Sequence, residues 1–214
     1  MNKRLLIFDL DGTILYTLED LKESLNDALG HMGYPRRTLE ETRNFVGNGI
    51  RKLIERAVPA GTAEADIQRT YDRFLAHYRV HCADHTAPYP GIPAFLEELK
   101  ARGFLLAVVS NKADSAVQIL CGRYFPQMFD CAFGERPGVR KKPAPDGVLE
   151  VLERLGVPKE QALYIGDSEV DIETARNAEM DCVLVDWGFR DRETLTRKGA
   201  EHIVSDCGEI WNYL

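Results

Sequence analysis

The sequence predicts an α/β fold: a doubly wound parallel sheet with a Rossmann-like core and an inserted α-helical domain. Two observations predict it. Short apolar runs alternate with helical patterns between residues 89 and 214, which is typical of parallel strands joined by crossover helices. The first apolar run is instead followed by a long block with helical periodicity alone. We therefore expect one core from residues 1–16 plus 89–214 and a separate helical domain from residues 17–88.

The first strand is predicted at Leu5-Leu6-Ile7-Phe8, an apolar run that ends in a turn signal. Three amphipathic stripes follow, and they predict successive helices in the insert. Thr17 and Gly30 are the expected caps of the first of these helices. The stripes consist of Leu18, Leu21, Leu25, Ala28 and Leu29; of Leu53, Ile54, Ala57 and Val58; and of Ile67, Tyr71, Phe74, Leu75 and Tyr78.

The chain is expected to return to the core at Tyr89-Pro90-Gly91, a turn signal. From there helices and strands alternate to the C-terminus. The expected order is helix 92–102, strand 104–109, helix 113–122, a short strand near Cys131, helix 144–155, strand 162–165, helix 169–178, strand 182–185, helix 191–198 and strand 202–204.

Composition narrows the classes of protein to consider. The 214 residues have a formal net charge of -7, which disfavours nucleic acid and anionic membranes as partners. No apolar stretch approaches the ~18 residues of a membrane-spanning helix, and the basic N-terminus leads directly into the first strand, unlike a signal peptide. The five cysteines have no C-x-x-C spacing, so we expect reduced thiols and a cytoplasmic location.

Polar residues follow three of the predicted strands, and one further polar segment opens a helix. Because the carboxyl ends of parallel strands meet along one crevice, residues distant in sequence are expected to meet there. Asp and Gly also end strands simply as turn formers, so it is the recurrence that favours a site. The segments are Asp9-Leu10-Asp11-Gly12-Thr13, Ser110-Asn111-Lys112, Lys142-Pro143-Ala144-Pro145-Asp146 and Gly166-Asp167-Ser168-Glu169-Val170-Asp171.

The expected cluster is rich in acids and contains neither His nor Cys. Carboxylate oxygens with few other ligands favour a hard divalent cation, and Mg²⁺ is the predicted cofactor.

With these four motifs in this order, the chain resembles the haloacid dehalogenase superfamily of phosphatases and, within it, the phosphoglycolate phosphatase group. The motifs D-x-D-G-T, S-N-K, K-P-x-P and G-D-S-x-x-D together are far more specific than any one alone. Two further segments resemble the same group, Phe45-Val46-Gly47-Asn48-Gly49 and Trp187-Gly188-Phe189-Arg190. The resemblance implies that the core is catalytic and that the helical insert is a cap domain.

The resemblance also implies roles for individual residues. Asp9 would attack phosphorus and form an aspartyl phosphate, and Asp11 would act as the acid and then the base. Mg²⁺ would be held by the Asp9 carboxylate, the Asp11 backbone carbonyl and Asp167. The transferred phosphoryl group would be bound by Thr13, Ser110, Asn111 and Lys142.

Four residues have supporting or specificity roles in this interpretation. Asp171 would support a metal-bound water or orient Lys142. Asn48 and Arg51 are specificity candidates in the cap domain, because they lie at the start of a helix whose N-terminus favours anions. Arg190 is a third candidate of the same kind.

The implied function is hydrolysis of a small phosphorylated metabolite, for which 2-phosphoglycolate is one candidate, by a monomer or homodimer. A phosphomutase or pyrophosphatase on the same scaffold is an alternative. A dehalogenase is disfavoured because family dehalogenases lack the second acid, and Asp11 is present. A non-catalytic binding or regulatory protein would be expected to have lost a motif residue, and none is missing.

Overall fold

The computed structural model of the chain describes residues 3–214, which form two compact units. The first unit is Met1–Leu15 with Pro88–Leu214, and the second is Tyr16–Ala87. The insert expected from the sequence, residues 17–88, is shifted by one residue relative to the second unit.

Eight strands occur in the described residues. Six of them form one sheet in the order β5-β4-β1-β6-β7-β8, and every neighbouring pair in it is parallel. The remaining two, β2 and β3, pair where the chain passes between the units. The strands are β1 (Leu5–Phe8), β2 (Leu15–Tyr16), β3 (Ala87–Pro88), β4 (Leu105–Ala113), β5 (Cys131–Glu135), β6 (Ala162–Gly166), β7 (Asp181–Val185) and β8 (Ile203–Val204).

The doubly wound sheet predicted from the sequence is confirmed. The chain builds β4 and β5 on one side of β1 and then crosses to build β6, β7 and β8 on the other. Phe8 at the end of β1 is level with Val108 of β4 and Ile165 of β6. These three central strands therefore deliver the residues that follow them to the same edge of the sheet, at the switch point where ligands bind in such folds.

The central strands are fixed by burial. All four residues of β1 are fully buried, as expected for a strand covered on both faces. Ile7 and Tyr164 belong to one apolar cluster with Val148 and Val151 of the helix Asp146–Leu155. A densely packed interior of this kind resists displacement, so the polar residues at the strand ends rest on a rigid base.

Nine α-helices and two 3₁₀ helices occur in residues 3–214. The α-helices of the core begin and end within two residues of the ranges expected from the sequence. The helices are α1 (Leu18–His31), α2 (Leu39–Phe45), α3 (Ile50–Ala57), α4 (Glu64–His81), α5 (Ile92–Ala101), α6 (Asp114–Tyr124), α7 (Asp146–Leu155), α8 (Glu169–Asn177), α9 (Arg192–Arg197), and the 3₁₀ helices Lys159–Gln161 and Cys207–Tyr213.

Strand β4 differs from its expected end. It continues to Ala113 instead of stopping at residue 109, and its register with β5 shifts between Val109 and Ala113. Three of the four added residues, Ser110, Asn111 and Lys112, are polar, so the apolar run that predicts a strand stops too early. They are nevertheless buried: Asn111 and Lys112 are 7% and 4% exposed.

The second unit consists of α1 to α4, and polar contacts bind its longest helices together. Ser24 of α1 lies 2.9 Å from His77 Nδ1 of α4, and Arg73 pairs with Asp27 at 2.6 Å. Asp20 is buried and accepts hydrogen bonds from the backbone N–H groups of His85 and Thr86. The segment that leaves α4 is thereby fixed to α1.

Two details of this unit differ from the expectation. Gly30 does not cap α1: the helix continues to His31, because the Met32 N–H closes a last turn onto the Leu29 carbonyl at 3.1 Å. Helix α2 has no apolar stripe in the sequence, and its beginning is instead defined by a capping box between Thr38 and Glu41. Among residues 3–214, no helix combines the length and apolarity that crossing a bilayer requires.

Candidate active site

The candidate site lies in the first unit, at the carboxyl edge of β1, β4 and β6. Asp9 follows β1, and its N–H still donates to the Ile165 carbonyl of β6 at 2.8 Å. Its carboxylate is held from two sides. Asp9 Oδ1 accepts from the Leu10 N–H at 2.7 Å, and Asp9 Oδ2 lies 2.9 Å from Lys142 Nζ.

Lys142 is buried and bonded to three groups. Besides Asp9, its Nζ lies 2.8 Å from Asp171 Oδ1 and 3.1 Å from the Tyr164 hydroxyl. Burial disfavours the ammonium, yet the carboxylates of Asp171 and Asp9 raise the pKa of Lys142 above its usual value. The lysine is therefore a fixed, fully charged cation beside Asp9.

Asp171 is bound on both carboxylate oxygens. Oδ1 accepts from Lys142 and, at 2.9 Å, from the Tyr164 hydroxyl. Oδ2 accepts from the Ser168 N–H and hydroxyl, at 3.1 and 2.7 Å, which forms the capping box of α8. Burial opposes ionisation, but Lys142 and these hydrogen bonds lower the pKa of Asp171. Two roles are predicted for Asp171, support of a metal-bound water and orientation of Lys142. This geometry supports the second role.

Asp9, Asp167 and Asp171 each offer one carboxylate oxygen within 4.8 Å of the others. Asp167 is 2% exposed, and burial together with the charges of Asp171 and Asp9 raises its pKa well above the usual value. Burial also raises the pKa of Asp9, to about 7. The crowded, buried carboxylates of Asp9 and Asp167, with their raised pKa values, fit a divalent cation, which would stabilise their charged forms.

The predicted phosphoryl-binding residues border the same edge. Thr13 is 1% exposed, and within residues 3–214 no group hydrogen-bonds its Oγ1. A buried hydroxyl without a partner is costly, which fits a hydrogen bond to a bound ligand. Ser110 Oγ accepts from the Lys112 N–H at 3.3 Å, and the Asn111 amide donates to the Lys142 carbonyl at 3.0 Å. Asn111 therefore also holds the Lys142 loop.

Asp11 forms an ion pair with Lys112. Lys112 Nζ lies 2.8 Å from Asp11 Oδ1, and the lysine side chain is 2% exposed. Asp11 thus does not join the three-carboxylate cluster through its side chain. Lys112 belongs to the S-N-K motif, but the motif predicts no role for it, because a pairing across 101 residues leaves no local signal.

Gly12 and the segment after β7 complete the site. Gly12 has φ 83°, and a Cβ there would lie 2.2 Å from Asp167 Oδ2, so only glycine fits. The Phe189 N–H donates to Asp167 Oδ2 at 2.7 Å, and Trp187 Nε1 donates to the Thr13 carbonyl at 3.0 Å. The segment after β7 therefore supports the loop after β1 through the Trp187 side chain and supports Asp167 through a backbone N–H, and a backbone donor is not revealed by residue type.

The three specificity candidates all have internal partners. In the core, Arg190 Nε lies 3.0 Å from Glu169 Oε2. In the second unit, Asn48 Oδ1 accepts from Arg56 at 2.7 Å. Arg51 contacts three side chains there, at 2.9 Å from Glu55, 2.5 Å from Glu64 and 3.1 Å from Gln68.

Known proteins resemble this chain over most or all of its length. The family model of haloacid dehalogenase-like hydrolases matches residues 6–185. A phosphoglycolate phosphatase of Aquifex aeolicus is 35% identical over 87% of this chain and 86% of its own length. A phosphoglycolate phosphatase of Psychrobacter arcticus is 33% identical over 100% and 96%.

Solved structures of similar proteins have the same fold as this chain. A protein from Lactobacillus delbrueckii, provisionally called a phosphoglycolate phosphatase, superposes with a TM-score of 0.95 at 39% identity, covering 100% of this chain and 98% of its own. CbbY from Rhodobacter sphaeroides, solved in complex with phosphate, gives a TM-score of 0.76 at 27% identity over 97% and 96%. With the family model matching most of the sequence, the chain belongs to the haloacid dehalogenase-like hydrolase family.

Proposed function

We propose that the protein is a Mg²⁺-dependent phosphatase that hydrolyses a small phosphorylated metabolite of the 2-phosphoglycolate class through an aspartyl-phosphate intermediate. The observation that supports it most is the environment of Asp9. Its carboxylate lies at a rigid strand end, 2.9 Å from the charged Lys142, and belongs to the cluster of three carboxylates that it forms with Asp167 and Asp171. A nucleophile, a fixed cation and a candidate metal site therefore coincide.

The need for cations follows from charge. Two unit charges of the same sign about 4 Å apart repel by roughly 4 kcal/mol at an effective dielectric constant near 20, and a phosphate monoester presents about two negative charges to Asp9. Mg²⁺, held by the Asp9 and Asp167 carboxylates and the Asp11 carbonyl, would supply the positive charge that offsets this repulsion. Lys142 adds a second cation whose position Asp171 fixes.

In the first step, an Asp9 oxygen bonds to phosphorus as the bond from phosphorus to the substrate oxygen breaks. Asp11 donates its proton to that departing oxygen. In the second step, water attacks the phosphorus while Asp11 takes one of its protons, and the bond to Asp9 breaks. Orthophosphate leaves and both aspartates return to their starting states.

The transferred phosphoryl group would be bound by Thr13, Ser110, Asn111 and Lys142. The buried Thr13 hydroxyl, which has no partner in the described chain, supports this assignment most directly. Donors that are fixed before the substrate binds need no reorganisation during the reaction, and such preorganisation accounts for much of the acceleration in phosphoryl transfer.

The substrate class rests on resemblance and on the specificity candidates. The relatives from Aquifex aeolicus and Psychrobacter arcticus are named phosphoglycolate phosphatases. Asn48, Arg51 and Arg190 would recognise the leaving group, and a carboxylate suits the two arginines. We assign the reaction to the cytoplasm, where cysteines stay reduced, and to a monomer or homodimer.

Release of orthophosphate from 2-phosphoglycolate by the purified protein tests the proposal. We expect activity with Mg²⁺, none after EDTA treatment, and recovery when Mg²⁺ is restored. Asp9→Asn keeps the size of the side chain but removes the attacking charge, so it should remain folded and inactive. Full activity in EDTA would exclude the metal assignment, and a tenth or more of the activity in Asp9→Asn would exclude the covalent mechanism.

A further inference from the structure

Lys112 is a buried cation to which the mechanism above gives no task. Its side chain is 2% exposed, whereas that of its partner Asp11 is 20% exposed. The pair forms because β4 lies beside β1 and continues past the point where β1 ends. The lysine thus approaches Asp11 from inside the protein, and the aspartate lies at the edge of the site.

A contribution to folding stability does not by itself account for the Lys112–Asp11 ion pair. Removing an ammonium and a carboxylate from water is costly, and buried ion pairs are often no more stabilising than apolar residues of similar size. Lys3, another buried lysine of the core, is bonded to Asp181 at 2.5 Å and to two backbone carbonyls. It precedes β1, at the opposite edge of the sheet from Asp9, so it is the structural counterpart of Lys112.

We infer that Lys112 is a positioning residue for Asp11. Lys112 Nζ binds Asp11 Oδ1 and so restricts the orientation of the carboxyl group that transfers the proton. As the bond from phosphorus to the substrate oxygen breaks, the proton of the Asp11 carboxyl group moves to that oxygen. In the second step the Asp11 carboxylate takes a proton from the attacking water. This inference rests on the proposed function, since Asp11 must act as its acid and base.

A second role for the same lysine makes a different prediction. If Lys112 bound the transferred phosphoryl group directly, its loss would slow every substrate alike and weaken the binding of orthophosphate. If it positions Asp11, the loss depends on how much the leaving oxygen needs a proton. Phenyl phosphate and p-nitrophenyl phosphate separate the two roles, because they share a ring but nitrophenolate leaves without protonation.

The experiment measures kcat/KM for these two esters and for 2-phosphoglycolate, and the inhibition constant of orthophosphate, in Lys112→Met and wild type. We expect Lys112→Met to lose at least ~10-fold on phenyl phosphate and 2-phosphoglycolate, as a share of the ~10²–10⁴ that general acid catalysis supplies. The loss on p-nitrophenyl phosphate should stay below ~3-fold, and orthophosphate inhibition should be unchanged. Lys112→Arg should recover part of the loss, because it keeps the charge.

Two controls make the result specific. Lys3→Met removes a buried lysine at the opposite edge of the sheet and should lower stability without distinguishing the esters. Asp11→Asn should show the same dependence on the leaving group. Adding Lys112→Met to Asp11→Asn should lower kcat/KM on phenyl phosphate only a little further, since both changes impair the same proton transfer. If Lys112→Met fails to fold, Lys112→Gln, which still donates a hydrogen bond, replaces it.

Equal losses on both esters, weaker orthophosphate binding or no loss at all would overturn the inference and leave the proposed function intact. A wild-type protein that hydrolyses none of the three esters would instead refute the proposed function, and the role of Lys112 with it.

Discussion

Asp171 Oδ1 lies 2.8 Å from Lys142 Nζ, and the same aspartate closes the first turn of α8 through its other oxygen. The cation beside the proposed nucleophile is therefore positioned by a helix terminus. Since α8 starts directly after β6, the sheet, the helix and Lys142 form one rigid unit. Such support is what keeps a reactive constellation within the narrow geometry that it requires.

Tyr164→Phe tests the contribution of the tyrosine hydroxyl to this unit. The fully buried hydroxyl contacts both Asp171 and Lys142, so its loss leaves two charged groups with one hydrogen bond fewer each. We expect the free energy of unfolding to fall by ~1–3 kcal/mol, measured by urea denaturation, together with a lower kcat. Tyr213→Phe, in the C-terminal 3₁₀ helix, is the control and should leave both unchanged; equal stability of the two variants would contradict the prediction.

The raised pKa of Asp9 predicts how stability depends on pH. Burial raises this pKa from 3.8 to about 7, so between these values the folded protein holds a proton that the unfolded chain has lost. By linkage, the free energy of unfolding falls as pH rises through this window. In EDTA, the wild type should therefore lose stability relative to Asp9→Asn between about pH 4 and about pH 7.

Magnesium should reverse this trend, because it binds the carboxylate and competes with the proton. We expect Mg²⁺ to raise the melting temperature of the wild type more at about pH 8 than at about pH 5. Thermal unfolding at both pH values, with and without Mg²⁺, measures the difference. Parallel pH curves for the wild type and Asp9→Asn in EDTA would show that Asp9 is not the responsible group.

Gly12→Ala separates backbone strain from crowding at the site. Gly12 and Gly138 share φ 83°, but a Cβ at Gly12 would meet Asp167 at 2.2 Å, whereas one at Gly138 would meet nothing within 4 Å. Both alanine variants should lose roughly 1–2 kcal/mol of stability to the left-handed backbone. Only Gly12→Ala should also lose activity and Mg²⁺ affinity, because it displaces Asp167; a full loss of activity in Gly138→Ala would refute this explanation.

Local patterns in the sequence were sufficient to predict the sheet and the edge where the polar residues meet. Asp9 and Asp167 could be predicted because each follows an apolar strand. The Asp11–Lys112 pair could not, since it depends on how far β4 extends beyond β1, and the polar end of β4 interrupts the strand pattern. The Phe189 N–H that binds Asp167 could not either, because every residue except proline has such a donor.

Arg51→Ala tests the assignment of leaving-group recognition to the second unit. Arg51 is bound to Glu55 and Glu64, and ion pairs that are accessible to solvent contribute little to stability. A substrate carboxylate can therefore compete for the guanidinium. We expect Arg51→Ala to raise the KM for 2-phosphoglycolate and to leave p-nitrophenyl phosphate, which has no carboxylate, nearly unchanged.

Glu64→Gln is the matched variant, and it should have the opposite effect. It removes a competing carboxylate whose side chain is 78% exposed, so the structural cost is small while Arg51 becomes more available to an anionic substrate. The KM for 2-phosphoglycolate should fall, and steady-state kinetics on both substrates measures it. If Arg51→Ala slows both substrates equally, Arg51 has a structural role; if neither substrate responds, recognition of the carboxylate lies with Asn48 or Arg190, and Arg190→Ala is the next variant to measure.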